Sequence, residues 1–392
     1  MRVGVDATCL ANGRGYGRFA RELLTALVAE TPAEFVLFAD ARAVDAARET
    51  KGTVVEVPQT VSPTIAASSD GSRGVKDMFR FTRAVWDARV DVFFSPSVYS
   101  YFPLPPRLPL LVGIHDAIAD RFPELTLPSV RARLFWKAKT QLALFQSALV
   151  LTVSDYAADD ISEWYRVPRR RIRIAVEAPS SSYSPSDDVD AIGRLAASYG
   201  VPQGGAWFVY VGGFNPHKRL DTLVRAFSVC VERCRTANMA PPHLLLVGSL
   251  TTDVFHGDAA AIRASIETAG INALTHWTGF VDDDCLRLLL AGATALVLPS
   301  EREGFGLPAV EAAACGTPVI ATLESPLPVL LAGGGFFVRP RDIAGVSDAM
   351  WALLNDPTLR RIMGATALAC ARRLSWNHAA AATWSALQEI AA

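Results

Sequence analysis

The sequence predicts an α/β protein built from two doubly wound domains, with three observations behind the reading. Short apolar runs of four to six residues alternate with segments of helical periodicity in both halves of the chain. At 392 residues the chain is long enough for two full α/β cores. Between the halves, from Ala178 to about Gln203, it turns polar around SSSYSPSDDVD, which reads as an interdomain connection. The expected domains are therefore 1–180 and 200–374, with a last helix at 375–392.

In the first half, Val3 to Ala7 reads as the opening strand. A glycine-bearing loop, Asn12 to Gly17, leads into a helix from about Arg18 to Ala29, with Phe19, Leu23, Leu24, Leu27 and Val28 on one face. That loop matches neither a dinucleotide fingerprint nor a P-loop. Phe35 to Ala39 and Val54 to Val57 follow as strands. Residues 58–75, rich in Ser, Pro and Gly, read as a mobile loop that either orders over an acceptor or stays a surface excursion. Val92 to Ser95 is the next strand, followed by the aromatic, proline-rich SVYSYFPLPP with Tyr99 near its start. Leu110 to Ile114 runs into His115-Asp116, which places a histidine at the carboxyl end of a buried strand. A ligand-facing residue and a structural histidine both fit there.

Residues 129–145 mix Arg131, Arg133, Lys137 and Lys139 with Leu134, Phe135 and Trp136. Two readings fit, a membrane-surface helix and a core helix with a solvated basic side, and the second is preferred. Ala148 to Val153, with Ser154-Asp155 after it, and Ile172 to Val176 complete the strands of this half.

The second half opens with the strand Trp207 to Val211 and the segment GGFNPHKRLDTLVRAF. Lys218 lies just before a helix patterned by Leu220, Leu223, Val224 and Phe227. An ammonium at a helix N-terminus is electrostatically awkward unless an anion also binds there. Leu244 to Val247 and His276 to Phe280 are further strands. Asp282 to Asp284 read as the capped start of a helix, Cys285 to Leu290, rather than as a metal site.

The most informative stretch is 295–322, ALVLPSEREGFGLPAVEAAACGTPVIAT. Ala295 to Leu298 reads as a strand buried on both faces, and Pro308 as an early helical position. Gly316 reads as the helix stop, Pro318 to Thr322 as the next strand. Gly304 and Gly306 let backbone N–H groups approach a ligand closely at that helix N-terminus. Glu303 and Glu311 bracket the loop. Glu311 stands alone among small apolar residues, as a helix-dipole partner or as a carboxylate meeting ligand hydroxyls. Taken with Glu303 and the glycines, the ligand reading is preferred.

Composition narrows the partners. The formal net charge is −1, so nucleic acid is not expected. The apolar share is 51%, yet no run approaches the ~18 apolar residues of a membrane span. No long apolar leader opens the chain, and a cytoplasmic location is expected. The six cysteines form no CxxC pair or zinc-type cluster, so they are expected reduced and supply no metal site.

Glu303-Gly-Phe-Gly-Leu-Pro-Ala-Val-Glu311 resembles the E-x7-E signature of the retaining glycosyltransferases of family 4, mannosyltransferase-like members of group 1 included. The resemblance is strongest over 206–322 and extends to the His115-Asp116 segment with Phe122-Pro-Glu124. It implies the GT-B fold, two Rossmann-like domains facing a cleft, and transfer of a hexose from a nucleotide-diphosphate sugar without metal or other cofactor. It also implies roles. Glu303 with the backbone of Gly304, Phe305, Gly306 and Leu307 meets the donor sugar, and Glu311 the ribose. Lys218 meets the diphosphate, with Arg219 as a substitute for an arginine that many relatives carry where this chain has Gly213. Gly15 and Gly17 face the diphosphate, and Val281 lies on the base-binding edge. His115 points at the reacting carbon, so the two domains are expected to close for chemistry, while Asp116 and Tyr99 are acceptor-side candidates. A GDP-mannose-like donor and a glycan, lipid-linked or small-molecule acceptor are expected. The closing segment SWNHAAAATWSALQEIAA resembles the helix that returns to the first domain in this fold.

Three rivals stand beside this reading: a nucleotide-sugar epimerase of the same fold, a dinucleotide-dependent oxidoreductase, and a non-catalytic binding protein. The missing GxGxxG fingerprint counts against the second. The intact set Glu303, Glu311, Lys218 and His115 counts against the third.

Overall fold

Apolar strands that need cover on both faces set the architecture of the chain. The computed structural model describes residues 1–13, 15–60, 74–127, 129–249 and 258–392. They form two units, Met1–Glu177 with Ser375–Ala392, and Ala178–Leu374.

Among the described residues the first unit holds a seven-stranded sheet. Its strands are β1 (Arg2–Asp6), β2 (Glu34–Ala39), β3 (Thr53–Glu56), β4 (Val92–Ser95), β5 (Leu110–Gly113), β6 (Leu149–Thr152) and β7 (Ile172–Ile174). The order is β3-β2-β1-β4-β5-β6-β7, with every pair parallel. Val3, Val5, Phe93, Phe94, Leu110 and Leu111 are fully buried, as a sheet covered on both sides requires. The order reverses between β1 and β4, and such a switch point is where open α/β sheets take ligands. The last helix, Trp376–Ala391, packs on the helix Gly15–Glu30 and on β7. A fork-to-fork pair fixes it there, Arg173 Nε and Nη2 donating to the Glu389 carboxylate at 2.5–3.0 Å.

Several expectations are corrected here. The first helix starts at Gly15 rather than near Arg18, so Gly15 and Gly17 lie in its first turn and not in a free loop. Gly17 is buried, and a Cβ on it would stand 2.0 Å from the Asn12 carbonyl oxygen. Backbone contact therefore fixes this glycine. Gly17→Ala should lower stability by about 1–3 kcal/mol, read as the shift in the urea midpoint at unchanged slope.

A helix at Val75–Ala88 follows the stretch that reads as loop from sequence, and Asp77 on it accepts from the Thr60 backbone N–H at 2.9 Å. Within 58–75, residues 61–73 lie outside the described residues. In the aromatic, proline-rich segment Tyr101 and Phe102 are core side chains.

The helix Val130–Gln146, capped by Ser129, is also less simple than a core helix with a basic back. It buries Trp136, Thr140, Ala143 and Leu144, while Val130, Leu134, Phe135, Leu142 and Phe145 are exposed, Phe145 at 87%.

The second unit repeats the plan with β8 (Trp207–Val211), β9 (His243–Val247), β10 (Thr275–Gly279), β11 (Ala295–Leu298), β12 (Val319–Thr322) and β13 (Gly335–Val338). The order among described residues is β10-β9-β8-β11-β12-β13, all parallel, with the switch point between β8 and β11. The polar stretch after Ala178 is not a free connection. Tyr183 is buried and donates to the Asp283 carboxylate at 2.9 Å, and the helix Val189–Ser198 buries Ile192 and Ala196. Its serines and aspartates are turn and cap residues: Asp188 accepts from the Ala191 N–H at 2.9 Å. Asp282 likewise caps the helix Asp283–Ala291 through the Cys285 N–H.

Candidate functional site

At its switch point the second unit brings together Lys218, Arg219, Glu301 and Glu303. β8 ends at Val211, and the chain after it forms a short turn, Pro216–Lys218, before the helix Leu220–Thr236. β11 ends at Leu298, and residues 299–306 lead to the helix Leu307–Ala314. The loops of two adjacent strands thus meet where the order reverses. Lys218 Nζ donates to Glu303 Oε1 at 2.7 Å, and Ser300 Oγ donates to the same oxygen at 2.6 Å. Glu303 is only 7% exposed, so its charge is balanced by these short contacts rather than by water. The Glu303 N–H donates to the Glu324 carbonyl at 2.9 Å, which fixes the start of the glycine loop.

Gly306 supplies the turn into the helix. Its φ of +95° is a left-handed value, and a Cβ there would meet Leu327 Cδ1 at 2.8 Å. Phe305 and Leu307 are buried, so the loop offers a ligand its backbone more than its side chains. Glu311, at 2% exposure, lies one turn into the helix among Ala309, Val310, Ala312 and Ala313. Val281 is buried too, just after Gly279 at φ +73° and the 77% exposed Phe280.

Arg219, the expected second contact of the diphosphate, meets a carboxylate of its own in this structure. Its side chain donates through Nε to Glu301 Oε2 at 2.5 Å, and Arg341 Nε reaches the same oxygen at 2.9 Å. Glu301, Ser300 and His217 escape sequence reasoning, because nothing in a lone Ser or Glu beside a signature marks it as a partner. His217 is kept neutral, its pKa pushed well down by burial and by Lys218 and Arg219 beside it.

In the first unit, His115 follows β5, and its Nε2 is 3.0 Å from the Pro96 carbonyl at the end of β4. A carbonyl only accepts, so Nε2 carries the proton and Nδ1 is the acceptor nitrogen. The ring meets Phe19 edge-on, with centroids 4.5 Å apart. Burial pushes the His115 pKa down to about 4, against a small upward pull from the Pro96 carbonyl. Asp116 accepts from the Ile118 N–H at 2.9 Å, a turn bond. Tyr99 lies between Tyr16 and Trp136, with centroids 5.2 and 4.9 Å away, and desolvation raises its phenol pKa.

The His115 shift has a stability consequence with a definite sign. Below an unfolded pKa of about 6.5 the unfolded chain takes a proton that the folded chain refuses until about pH 4. Stability is therefore lost as pH falls through this window. Between pH 7.5 and 5 the wild type should lose about 2 kcal/mol more than His115→Phe, measured by urea unfolding at each pH.

Among the described residues no group of three His, Cys, Asp or Glu side chains is placed to hold a metal ion. All six cysteines are free. Among the described residues no helix is long and apolar enough to cross a membrane.

Both halves of the chain have known relatives. Residues 193–369 match the family model "Glycosyl transferases group 1", and residues 13–175 match "Glycosyltransferase Family 4". The chain is 28% identical over 390 residues to the O-antigen chain mannosyltransferase B of Escherichia coli, covering 95% of each chain. Its fold matches the sucrose-phosphate synthase of Thermosynechococcus elongatus with a TM-score of 0.74 at 18% identity, over 99% of this chain and 98% of that one. It matches Anabaena Alr3699/HepE, solved with UDP and glucose, equally well at 0.74 and 17% identity, over 98% and 99% of the two chains. With the two family models between them taking in most of the sequence, and a parallel-sheet unit under each, the chain belongs to the family 4 glycosyltransferases of GT-B fold.

Proposed function

We propose that this protein transfers a hexose from a nucleoside diphosphate sugar, GDP-mannose by preference, to a glycan or lipid-linked acceptor with retention of configuration. One observation carries the donor assignment. Lys218 and Glu303 meet at 2.7 Å across the β8–β11 switch point, beside the glycine loop and the helix that bears Glu311. Here a cation, helix N–H groups and two carboxylates belong to two neighbouring loops and the helix that follows one of them, the kinds of group that a diphosphate, a sugar and a ribose require. Lys218 is assigned the diphosphate, Glu303 with residues 304–307 the sugar, and Glu311 the ribose hydroxyls. His115 is assigned to the transferred sugar; its neutral, singly protonated ring is a hydrogen-bonding group and not a second cation. Arg219, bound to Glu301, is not assigned to the diphosphate. Mannose is preferred because of the similarity to the Escherichia coli mannosyltransferase, with UDP-glucose as the competing donor because Anabaena HepE was solved with UDP and glucose.

Lys218 supplies positive charge where the leaving diphosphate develops negative charge, so a metal-independent reaction is part of the proposal. Retention follows if the acceptor attacks from the face the diphosphate leaves. The test is nucleotide release from GDP-mannose and UDP-glucose, with and without EDTA, and proton NMR of the product anomer. Release from one donor, unchanged by EDTA, with the donor's anomeric configuration kept, is expected. An inverted product overturns retention, and abolition by EDTA overturns metal independence.

We further assign the protein to the cytoplasmic side of a membrane, its six thiols being free there as they are here. The exposed Val130, Leu134, Phe135 and Phe145 are interspersed with Arg131, Arg133 and Lys137 on one helix without forming separate faces, and the reading rests on attraction of these basic groups to an anionic lipid surface. Cosedimentation with anionic but not zwitterionic vesicles is the expected result, and equal recovery with both contradicts it.

A further inference from the structure

Two arginines of the second unit sit in left-handed backbone conformation, Arg219 at φ +52° and Arg341 at φ +65°. Residues other than glycine persist there only when surrounding contacts over-determine them. Both donate through Nε to one oxygen of one carboxylate, Glu301 Oε2, at 2.5 and 2.9 Å. Glu301 adds a backbone bond of its own, its N–H donating to the His217 carbonyl at 2.8 Å. The Glu301 and Arg219 side chains are 13% and 14% exposed, so the pair is largely shielded from water.

The placement of this carboxylate matters more than its strength. Glu301 is two residues before Glu303, and Arg219 directly follows Lys218. Two ion pairs therefore run side by side between the same two loops, Glu301 with Arg219 and Glu303 with Lys218 at 2.7 Å. Lys218 reaches its partner from a turn that ends at Arg219, and Glu301 holds that turn by main chain and by side chain at once.

We infer that Glu301 is a positioning residue for the donor site. It locks the Pro216–Lys218 turn onto the loop that carries Glu303, engages the Arg219 guanidinium, and so presents the Lys218 ammonium as the cation that a nucleoside diphosphate meets. The inference rests on the donor-site reading above, deepening it from the ligand's contacts to what sets them in place.

The experiment uses the full chain, with GDP and UDP as probes and calorimetry well below the unfolding temperature of each variant. Glu301→Ala should weaken the bound diphosphate about tenfold or more while circular dichroism stays native, and Glu301→Gln, which keeps an acceptor for the guanidinium groups, should recover part of the loss. The double variant Glu301→Ala with Arg219→Ala separates positioning from simple charge balance. If Glu301 positions the turn, removing the arginine as well does not bring affinity back. Affinity restored to wild type in the double variant, or undiminished in Glu301→Ala, overturns the inference. Glu311→Ala runs alongside: affinity lost there but kept in Glu301→Ala overturns the positioning role alone. Affinity unchanged in Glu311→Ala overturns the donor-site reading and the inference with it.

Discussion

Lys218→Ala should lower kcat/KM by about a hundred- to a thousandfold, the largest effect expected of any single substitution in this protein. The ammonium stands in the loop after β8, 2.7 Å from Glu303, where the proposed donor site puts the diphosphate leaving group, which gathers charge as its bond to the sugar breaks. A fixed cation there acts without reorganisation, in surroundings that exclude much of the water. Part of the loss should fall on kcat, since the charge develops in the transition state. Stability should fall by about 1–3 kcal/mol as well, because Glu303 is nearly buried and loses a donor. Steady-state kinetics alongside urea unfolding separates the two effects. A variant with native kcat/KM would remove Lys218 from the chemistry.

Glu303→Gln should separate catalysis from nucleotide binding. The amide keeps acceptor capacity toward Ser300 and Lys218, so the loop stays in place, but the negative charge that the proposed site sets beside the sugar is lost. The expected result is a fall in kcat of about a hundredfold. Affinity for the free nucleoside diphosphate should hold or rise, because Lys218 no longer faces a full counter-charge. Kinetics with the intact donor and calorimetry with the nucleotide alone give the two numbers. Equal losses in both would make Glu303 a structural support for the loop rather than a group that acts on the sugar.

The strands were legible in the sequence because parallel sheets covered on both faces demand continuous apolar runs. Val92–Ser95, Trp207–Val211 and Ala295–Leu298 appear in the structure with the bounds their runs predict. The glycine loop and Pro308 were legible for a similar reason: a left-handed turn and an early helical proline each admit few residue types. Other features were hidden where one composition serves two purposes. The serines and aspartates after Ala178 read as linker chemistry, yet Asp188 is a helix cap and the neighbouring Tyr183 a buried anchor. Gly15 and Gly17 read as loop, but the helix already starts at Gly15, and the glycine at 17 answers to the close approach of the Asn12 backbone rather than to a free turn. Tyr101 and Phe102 read as part of an aromatic, proline-rich loop, yet both are core side chains.

The site divides along the same line. Glu303 and Glu311 could be picked out because a charge among glycines or alanines is conspicuous, and Lys218 because an ammonium just before a helix asks for an anion; the structure brings Lys218 and Glu303 into contact. Arg219 could not be assigned without coordinates. Whether a guanidinium beside a lysine serves a ligand or a neighbouring carboxylate depends on contacts across 82 residues of sequence. Ser300 and Glu301 were hidden for the same reason, since their partners are set by the meeting of the β8 and β11 loops and not by local spacing.

The most direct test of the donor site is a thermal-shift panel of GDP-, UDP-, dTDP- and ADP-sugars, with and without divalent metal, on the wild type and Glu311→Ala. A bound donor at a hundredfold excess over its dissociation constant adds about 2.7 kcal/mol to stability. One clear shift without metal, absent from Glu311→Ala, is the predicted result. No shift from any of the nucleotides, on a protein that melts cooperatively from a native baseline, would contradict the account.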